Sequence, residues 1–216
     1  MKSDKISEAV VRRLPVYLRF LNDLNKREIS TVSSQELGQK LDLNPAQIRK
    51  DLAYFGDFGR KGIGYDVPYL IEKIRHILKL DQPINVALVG AGNLGHALSN
   101  YNAYLKDTMK ITAVFDAYEP KVGQKIHSLT VQPMSELQET VRSQGIRIGI
   151  ITVPDQEAQN VADLLIEAGI EAILNFAPVI LKTPPYVRVH AADFTTDLQS
   201  LAYYLQDGKE EEPNEQ

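Results

Sequence analysis

Apolar residues recur at three- and four-residue spacing through the first third of the chain, the period of one face of a helix. Val10, Leu14, Tyr17, Leu18, Leu21 and Leu24 mark an opening helix. Within it Pro15 predicts a kink or a restart, because proline removes a backbone donor. A short extended piece, Glu28 to Val32, comes next, and Ser34 to Leu41 then predicts a short helix with Leu37 and Leu41 on one face. Asn44, Pro45 and Gln47 form a helix start. Asn accepts from a free backbone amide as N-cap, Pro suits the first helical position, and Gln three residues after the cap completes a capping-box-like pattern. The helix so begun runs from Ala46 to about Phe55 and buries Ile48, Leu52 and Phe55. Two short helices joined by a tight turn predict a helix-turn-helix. Gly56 to Val67 carries four glycines around a basic tip, the pattern of a two-stranded wing, and Pro68 to Leu80 is a further amphipathic helix.

The period changes after Leu80-Asp81-Gln82-Pro83. Ile84–Val89 is a short, β-branched apolar run of the kind that makes a buried parallel strand. Further strand candidates are Ile111–Phe115, Arg147–Val153, Glu171–Asn175 and Val187–Val189, with helical patterns between most of them. Such alternation predicts an α/β chain: an N-terminal winged helix-turn-helix domain, residues 1–80, and a C-terminal Rossmann-like, doubly wound parallel sheet, residues 84–207. The last helix, Phe194 to about Leu205, lines up Phe194, Leu198, Leu201 and Leu205 and adds Ala202, Tyr203 and Tyr204 beside them. A stripe this wide fits burial on two sides, as when a terminal helix is exchanged between the subunits of a dimer. Packing on its own sheet is the alternative. Residues 208–216 are polar and acidic, the composition of a disordered tail.

Charge sharpens the division. The net charge of −4 conceals 15 basic against 10 acidic residues in 1–80, and 9 against 18 in 81–216. A basic half joined to an acidic half predicts that the first faces a polyanion. Cysteine is absent, which excludes disulfides, Cys-ligated zinc and thiol chemistry and fits a cytoplasmic protein. No apolar run is long enough for a transmembrane helix.

Two constellations carry candidate chemistry. On the second helix of the helix-turn-helix, Gln47, Arg49, Lys50 and Tyr54 lie outside the apolar stripe, where Arg suits guanine and Gln suits adenine in a major groove. Ser34 and Asn44 at the two helix starts, with Arg60 and Lys61 at the wing tip, complete a candidate DNA-binding face. A solvated helix and an ordinary loop are the plainer reading. The second constellation is Gly90-Ala91-Gly92-Asn93-Leu94-Gly95, a G-x-G-x-x-G directly after a predicted strand and opening a helix, Asn93 to about Lys106. Asp116 ends the next strand 21 residues after Gly95. That context predicts a dinucleotide whose pyrophosphate meets the helix N-terminus and whose adenosine ribose meets Asp116. Asp116 repels a 2′-phosphate and so favours NAD(H) over NADP(H), with the cationic Lys121 nearby working against it. His76, His96, His127 and His190 are scattered and form no triad or metal-ligand spacing. The expectation is therefore a protein that binds a nucleotide without turning it over, not an enzyme. A dehydrogenase, a sensor of another nucleotide or CoA ester, and a dimerisation scaffold are the competing classes.

The chain resembles the Rex family of bacterial redox-sensing transcriptional repressors. The resemblance rests on Arg13-Leu14-Pro15, Ile48-Arg49-Lys50-Asp51-Leu52 with Tyr54-Phe55-Gly56, and Gly62-Ile63-Gly64-Tyr65. It continues through the Gly90–Gly95 loop, Thr152-Val153-Pro154, Asn175-Phe176-Ala177-Pro178 and Leu198-Gln199-Ser200-Leu201 before Tyr203-Tyr204. It implies a homodimer that binds palindromic operator DNA, is released when NADH binds, and is favoured on DNA by competing NAD+. It also implies NAD(H) contacts from Val153, Pro154, Asn175, Phe176 and Tyr101, exchanged C-terminal helices, and a sensing role for Arg13, Tyr101 and Asp193.

Overall fold

A computed structural model of the chain describes residues 6–60, 62–105 and 108–205. Lys61, the expected tail at 208–216 and the side chain of Arg60 lie outside the described part. Contacts divide the chain into two units, Met1–Gln82 and Pro83–Gln216.

The first unit runs α1 (Glu8–Lys26), β1 (Thr31–Val32), α2 (Ser34–Leu41), α3 (Pro45–Ala53), β2 (Gly59–Arg60), β3 (Gly64–Asp66) and α4 (Val67–Ile77). α1 passes through Pro15 without a restart, burying Val10, Leu14, Tyr17, Leu18, Leu21 and Leu24. Only Thr31 and Val32 of the expected extended piece form a strand, and Glu28 turns the chain with φ of 60°. The two short helices α2 and α3 meet at Asp42, which ends α2 in a left-handed conformation. β2 and β3 form the expected hairpin, and β1 adds to it as a third antiparallel strand, Val32 opposite Tyr65. Gly64 (φ 98°) makes this close pairing possible, because a Cβ there would lie 2.5 Å from the Val32 carbonyl oxygen. The result is a winged helix-turn-helix.

The second unit runs β4 (Ile84–Val89), α5 (Asn93–Asn100), α6 (Asn102–Leu105), β5 (Met109–Asp116), β6 (Lys125–Ile126), β7 (Leu129–Pro133), α7 (Leu137–Ser143), β8 (Ile148–Ile151), α8 (Asp155–Ala168), β9 (Ala172–Asn175), β10 (Arg188–Ala191) and α9 (Phe194–Tyr203). The sheet order is β10-β9-β8-β4-β5-β7-β6. All pairings are parallel except the edge pair β6–β7. Read from β7 to β10 this is the 3-2-1-4-5-6 order of dinucleotide-binding folds, whose switch point lies between the first and fourth strands, here β4 and β8. Both faces are covered. Phe115, Val89 and Ile151 pack with α8 residues Ala158, Ala162 and Leu165 on one side. Leu88, Val114, Val131 and Ile150 fill the other.

The structure corrects one expectation here and adds two features to the others. The helix expected from Asn93 to Lys106 is interrupted at Tyr101, where α5 ends and a separate single turn, α6, begins. The sequence pattern does not show the β6–β7 hairpin, which turns at His127 with φ of 53°, because at two and five residues its strands are too short for a period. Finally, of the two alternatives for the last helix, packing on its own sheet is not seen: among the described residues none of α9 is buried, and Phe194, Leu198 and Leu201 are 74%, 53% and 58% exposed.

Candidate functional site

The helix-turn-helix presents a polar face built from helix starts. Ser33 caps α2 through a reciprocal box, its Oγ accepting from the Glu36 amide while Glu36 accepts from the Ser33 amide. Asn44 caps α3 by accepting from the Ala46 amide at 2.8 Å. The capping box expected at Asn44–Gln47 does not form, because the Gln47 amide turns inward and donates to Asp51 Oδ1 at 2.6 Å. Arg49 Nη1 donates to Ser34 Oγ at 2.8 Å, tying the exposed start of α2 to the exposed face of α3. Lys50 and Tyr54 are exposed beside them. A cleft of about 590 Å³ runs between these helices and the wing, lined by Ser34, Arg49, Leu52, Gly59, Ile63 and Tyr65 among others.

Asp51, part of the run that carries the resemblance, is wholly buried and accepts from Arg13, Tyr17 and Gln47. Arg13 Nε and Nη2 donate to Oδ2 and Oδ1 at 2.6 and 2.9 Å, and the Tyr17 hydroxyl donates to Oδ2 at 2.7 Å. Burial pushes the Asp51 carboxyl up, but the hydrogen bonds from Arg13, Tyr17 and Gln47 outweigh it and hold it below the usual carboxylate range. Burial and the same carboxylate raise the Tyr17 hydroxyl, so it stays a donor. A sequence signal was available: Asp51 falls within the apolar stripe Ile48, Leu52, Phe55, where an acid demands partners. Phe55 itself is half-buried.

In the second unit the glycine loop lies at the C-terminal ends of β4 and β8. Gly90 has φ of 108°, and a Cβ on it would lie 2.7 Å from the Thr152 carbonyl oxygen. A Cβ on Gly95 would overlap the Gly90 carbonyl oxygen, so α5 can approach β4 only without one. Gly92 differs: a Cβ there would meet nothing of the protein within 4 Å. Its bareness leaves room on the side of a cavity of about 830 Å³. The cavity is lined by Gly90, Gly92, Asp116, Lys121, Val153 and Pro154 of the expected set, and by Ala117, Tyr118, Met134, Thr152, Glu157, Asn160, Val161 and Leu164, which sequence reasoning missed as site residues. The α8 members recur at three- and four-residue spacing directly after Pro154, a face that the position of the fourth strand could have flagged.

Asp116 is fixed from three directions. Its Oδ2 accepts from the Ala91 amide at 2.7 Å and from Lys121 Nζ at 3.3 Å, and its Oδ1 accepts from the Tyr118 amide at 2.8 Å. Burial pushes this carboxyl up, but the Tyr118 and Ala91 amides and the Lys121 ammonium prevail and keep it ionised. Lys121 also lies 6.0 Å from the centroid of the Tyr118 ring. Anion-tolerant backbone at a helix start, a fixed carboxylate one strand away and an apolar wall suit a nucleoside diphosphate.

Other expected residues do not line this cavity. Asn93 and Leu94 are exposed on α5, Tyr101 is 56% exposed at its end, and Phe176 is half-buried. Asn175 is buried and its amide holds its own loop, donating to the Ala177 and Val179 carbonyls and accepting from the Ala177 amide. Asp193 caps α9, accepting from the Thr195 and Thr196 amides and the Thr196 hydroxyl, which hold it below the usual range. Among the described residues no His, Asp and Glu cluster could hold a metal ion, and no helix is long and apolar enough to cross a membrane.

Comparison with known proteins agrees with this geometry. Residues 81–179 match the CoA binding domain family, and residues 5–53 match the family described as "Putative DNA-binding protein N-terminus". The chain is 63% identical over 204 residues to the redox-sensing transcriptional repressor Rex of Brevibacillus brevis, covering 94% of this chain and 99% of that one. It is 47% identical to the Rex of Chloroflexus aurantiacus, covering 94% and 96%. Among solved structures it resembles RSP in complex with β-NAD+ and operator DNA, at 38% identity and a TM-score of 0.87 over 94% of each chain. It also resembles RSP in complex with β-NADH, at 36% identity and a TM-score of 0.82 over 93% and 94%.

Proposed function

Because the chain belongs to the Rex family of redox-sensing transcriptional repressors, we propose that it reads the NADH/NAD+ ratio in its second unit and operator DNA in its first, acting in the cytoplasm as a homodimer. The observation that carries the nucleotide half is the bare Gly92 lining the same cavity as the fixed carboxylate of Asp116. NAD(H) fits this donor set: the loop amides for the pyrophosphate, Asp116 for the ribose hydroxyls, and Lys121 and Tyr118 beside them. The DNA half is supported by the basic helix-turn-helix face of Ser34, Arg49 and Lys50.

NADH and NAD+ differ by one positive charge and by planarity at the nicotinamide ring. An apolar, aromatic surround, for which Phe176, Tyr101, Pro154 and Pro178 are the candidates, favours the neutral reduced ring. NADH then releases DNA only by binding the DNA-incompetent arrangement more tightly, and linkage requires DNA to weaken NADH by the same factor, with a coupling of ~1–3 kcal/mol. The exposed apolar stripe of α9 is the surface for exchange with a second copy, which supports a dimer and hence a palindromic operator.

The test is fluorescence anisotropy on a palindromic duplex selected from random sequence, at fixed salt. Release by micromolar NADH, antagonised by NAD+ and weak with NADPH, is the expected result. Tight DNA binding indifferent to all three would sink the redox reading. Sedimentation of the Leu198→Asp, Leu201→Asp double variant checks the dimer and is expected to give monomers.

A further inference from the structure

The polar residues of α3 do not share one face. Ala46, Arg49, Lys50 and Ala53 are all exposed and recur at the three- and four-residue spacing of a single helix side. Gln47 belongs to the other side, with buried Ile48, Asp51 and Leu52. Its amide donates to Asp51 Oδ1 at 2.6 Å, while Arg13 and Tyr17 of α1 donate to the same carboxylate. Asp51 therefore collects donors from both helices, and Gln47 is the one supplied by α3 itself. To read an adenine, Gln47 would have to present its amide nitrogen and oxygen together to the base edge. Doing so would strip a donor from a buried carboxylate, a costly exchange.

We propose that Gln47 is a positioning residue that braces Asp51 and so sets the angle of α3, and that direct base reading falls to the Ala46, Arg49, Lys50 and Ala53 face. This rests on the operator-binding reading above. The two alanines offer methyl groups suited to thymine methyls, and Arg49 offers the fork suited to guanine. Ser34, by accepting from Arg49 Nη1, holds that fork in place.

The experiment uses the full-length dimer and a panel of operators, each altered at one base pair of the half-site, at a temperature well below every variant's unfolding. Wild-type binding comes first; its absence would overturn the repressor reading, whereas every later outcome bears on Gln47 alone. Gln47→Met keeps the side-chain length without the donor. It is expected to weaken all operators alike, by about three- to tenfold, with the ranking of the panel unchanged. Loss of discrimination at one base pair, or no effect at all, would overturn the proposal. Gln47→Lys restores a donor that cannot imitate the amide's paired contact. It is expected to recover affinity and ranking with an unchanged salt dependence. A salt slope steeper by about one would place the new ammonium on DNA phosphate and overturn the assignment.

Discussion

Arg13 and Asp51, 38 residues apart in sequence, join α1 to α3 through two parallel hydrogen bonds of 2.6 and 2.9 Å. The carboxylate is fully buried, while the Arg13 side chain remains 25% exposed. Removing one member of such a pair leaves the other charge uncompensated, so Asp51→Ala is expected to destabilise the first unit by about 3 kcal/mol, read by urea unfolding. The sign with pH follows from the lowered Asp51 carboxyl. A carboxyl held below its unfolded value contributes stability above about pH 4 and loses it as pH falls through the folded value. The stability gap between wild type and Asp51→Asn is therefore expected to be widest near neutrality and to close on acidification below about pH 4. A gap constant with pH would mean that the carboxylate charge contributes nothing.

Two glycines of the loop, Gly95 and Gly92, separate folding from binding. Gly95→Ala sets a Cβ against the Gly90 carbonyl oxygen, and thermal unfolding is expected to show a loss of about 1–3 kcal/mol. Gly92→Ala meets no protein atom and has an ordinary backbone (φ −82°). Its stability is expected to stay within about 0.5–1 kcal/mol of wild type. The added methyl enters the space through which, in the proposed site, a pyrophosphate approaches the loop, so NADH titration is expected to show at least a roughly tenfold loss. Normal NADH binding by Gly92→Ala would move the phosphate subsite elsewhere.

Much of the architecture was legible because its signals were local. The Ile84–Val89 strand, the loop behind it and the acid ending β5 each depend on residues within one βαβ stretch, and the structure places Asp116 on the Ala91 amide accordingly. What was not legible depended on contacts distant in sequence. Gln47 carries the pattern of a capping box, but the pattern is local and its competitor, Asp51, gains its strength from Arg13 and Tyr17 on another helix. Asn175 sits in a stretch that invites a ligand, yet its amide is consumed by the turn it makes. The α9 stripe was legible as apolar, and among the described residues nothing buries it.

At the proposed ribose subsite Asp116 and Lys121 carry opposing preferences. The carboxylate repels a 2′-phosphate, and the ammonium 3.3 Å from its Oδ2 would attract one. Asp116→Ser removes the repulsion and leaves Lys121 without its anionic partner. Its affinity for NADH is expected to fall and that for NADPH to rise, narrowing the preference by roughly ten- to a hundredfold, as a few kcal/mol between charges near a protein surface allows. Lys121→Ala in the same background is expected to abolish the NADPH gain. Should Asp116→Ser leave the NADH/NADPH ratio untouched, the ribose would have to be recognised by other residues.

Asp193 combines a capping role visible in the chain with a sensing role that family resemblance implies, and two substitutions separate them. Its Oδ1 accepts from the Thr195 and Thr196 amides at 3.0 and 3.1 Å, the geometry of an N-cap. Asn serves as an N-cap as well as Asp does, whereas Ala does not. Asp193→Asn is therefore expected to keep the α9 start and, with it, the proposed dimer, read by circular dichroism and sedimentation. Asp193→Ala is expected to weaken both. If the charge of Asp193 takes part in sensing, Asp193→Asn is expected to bind operator and NADH normally but to uncouple them, so that NADH no longer displaces DNA. Linkage makes this checkable from either side, since an uncoupled protein must bind NADH equally well with and without DNA. Normal release by Asp193→Asn, with failure confined to Asp193→Ala, would assign Asp193 to the helix start alone.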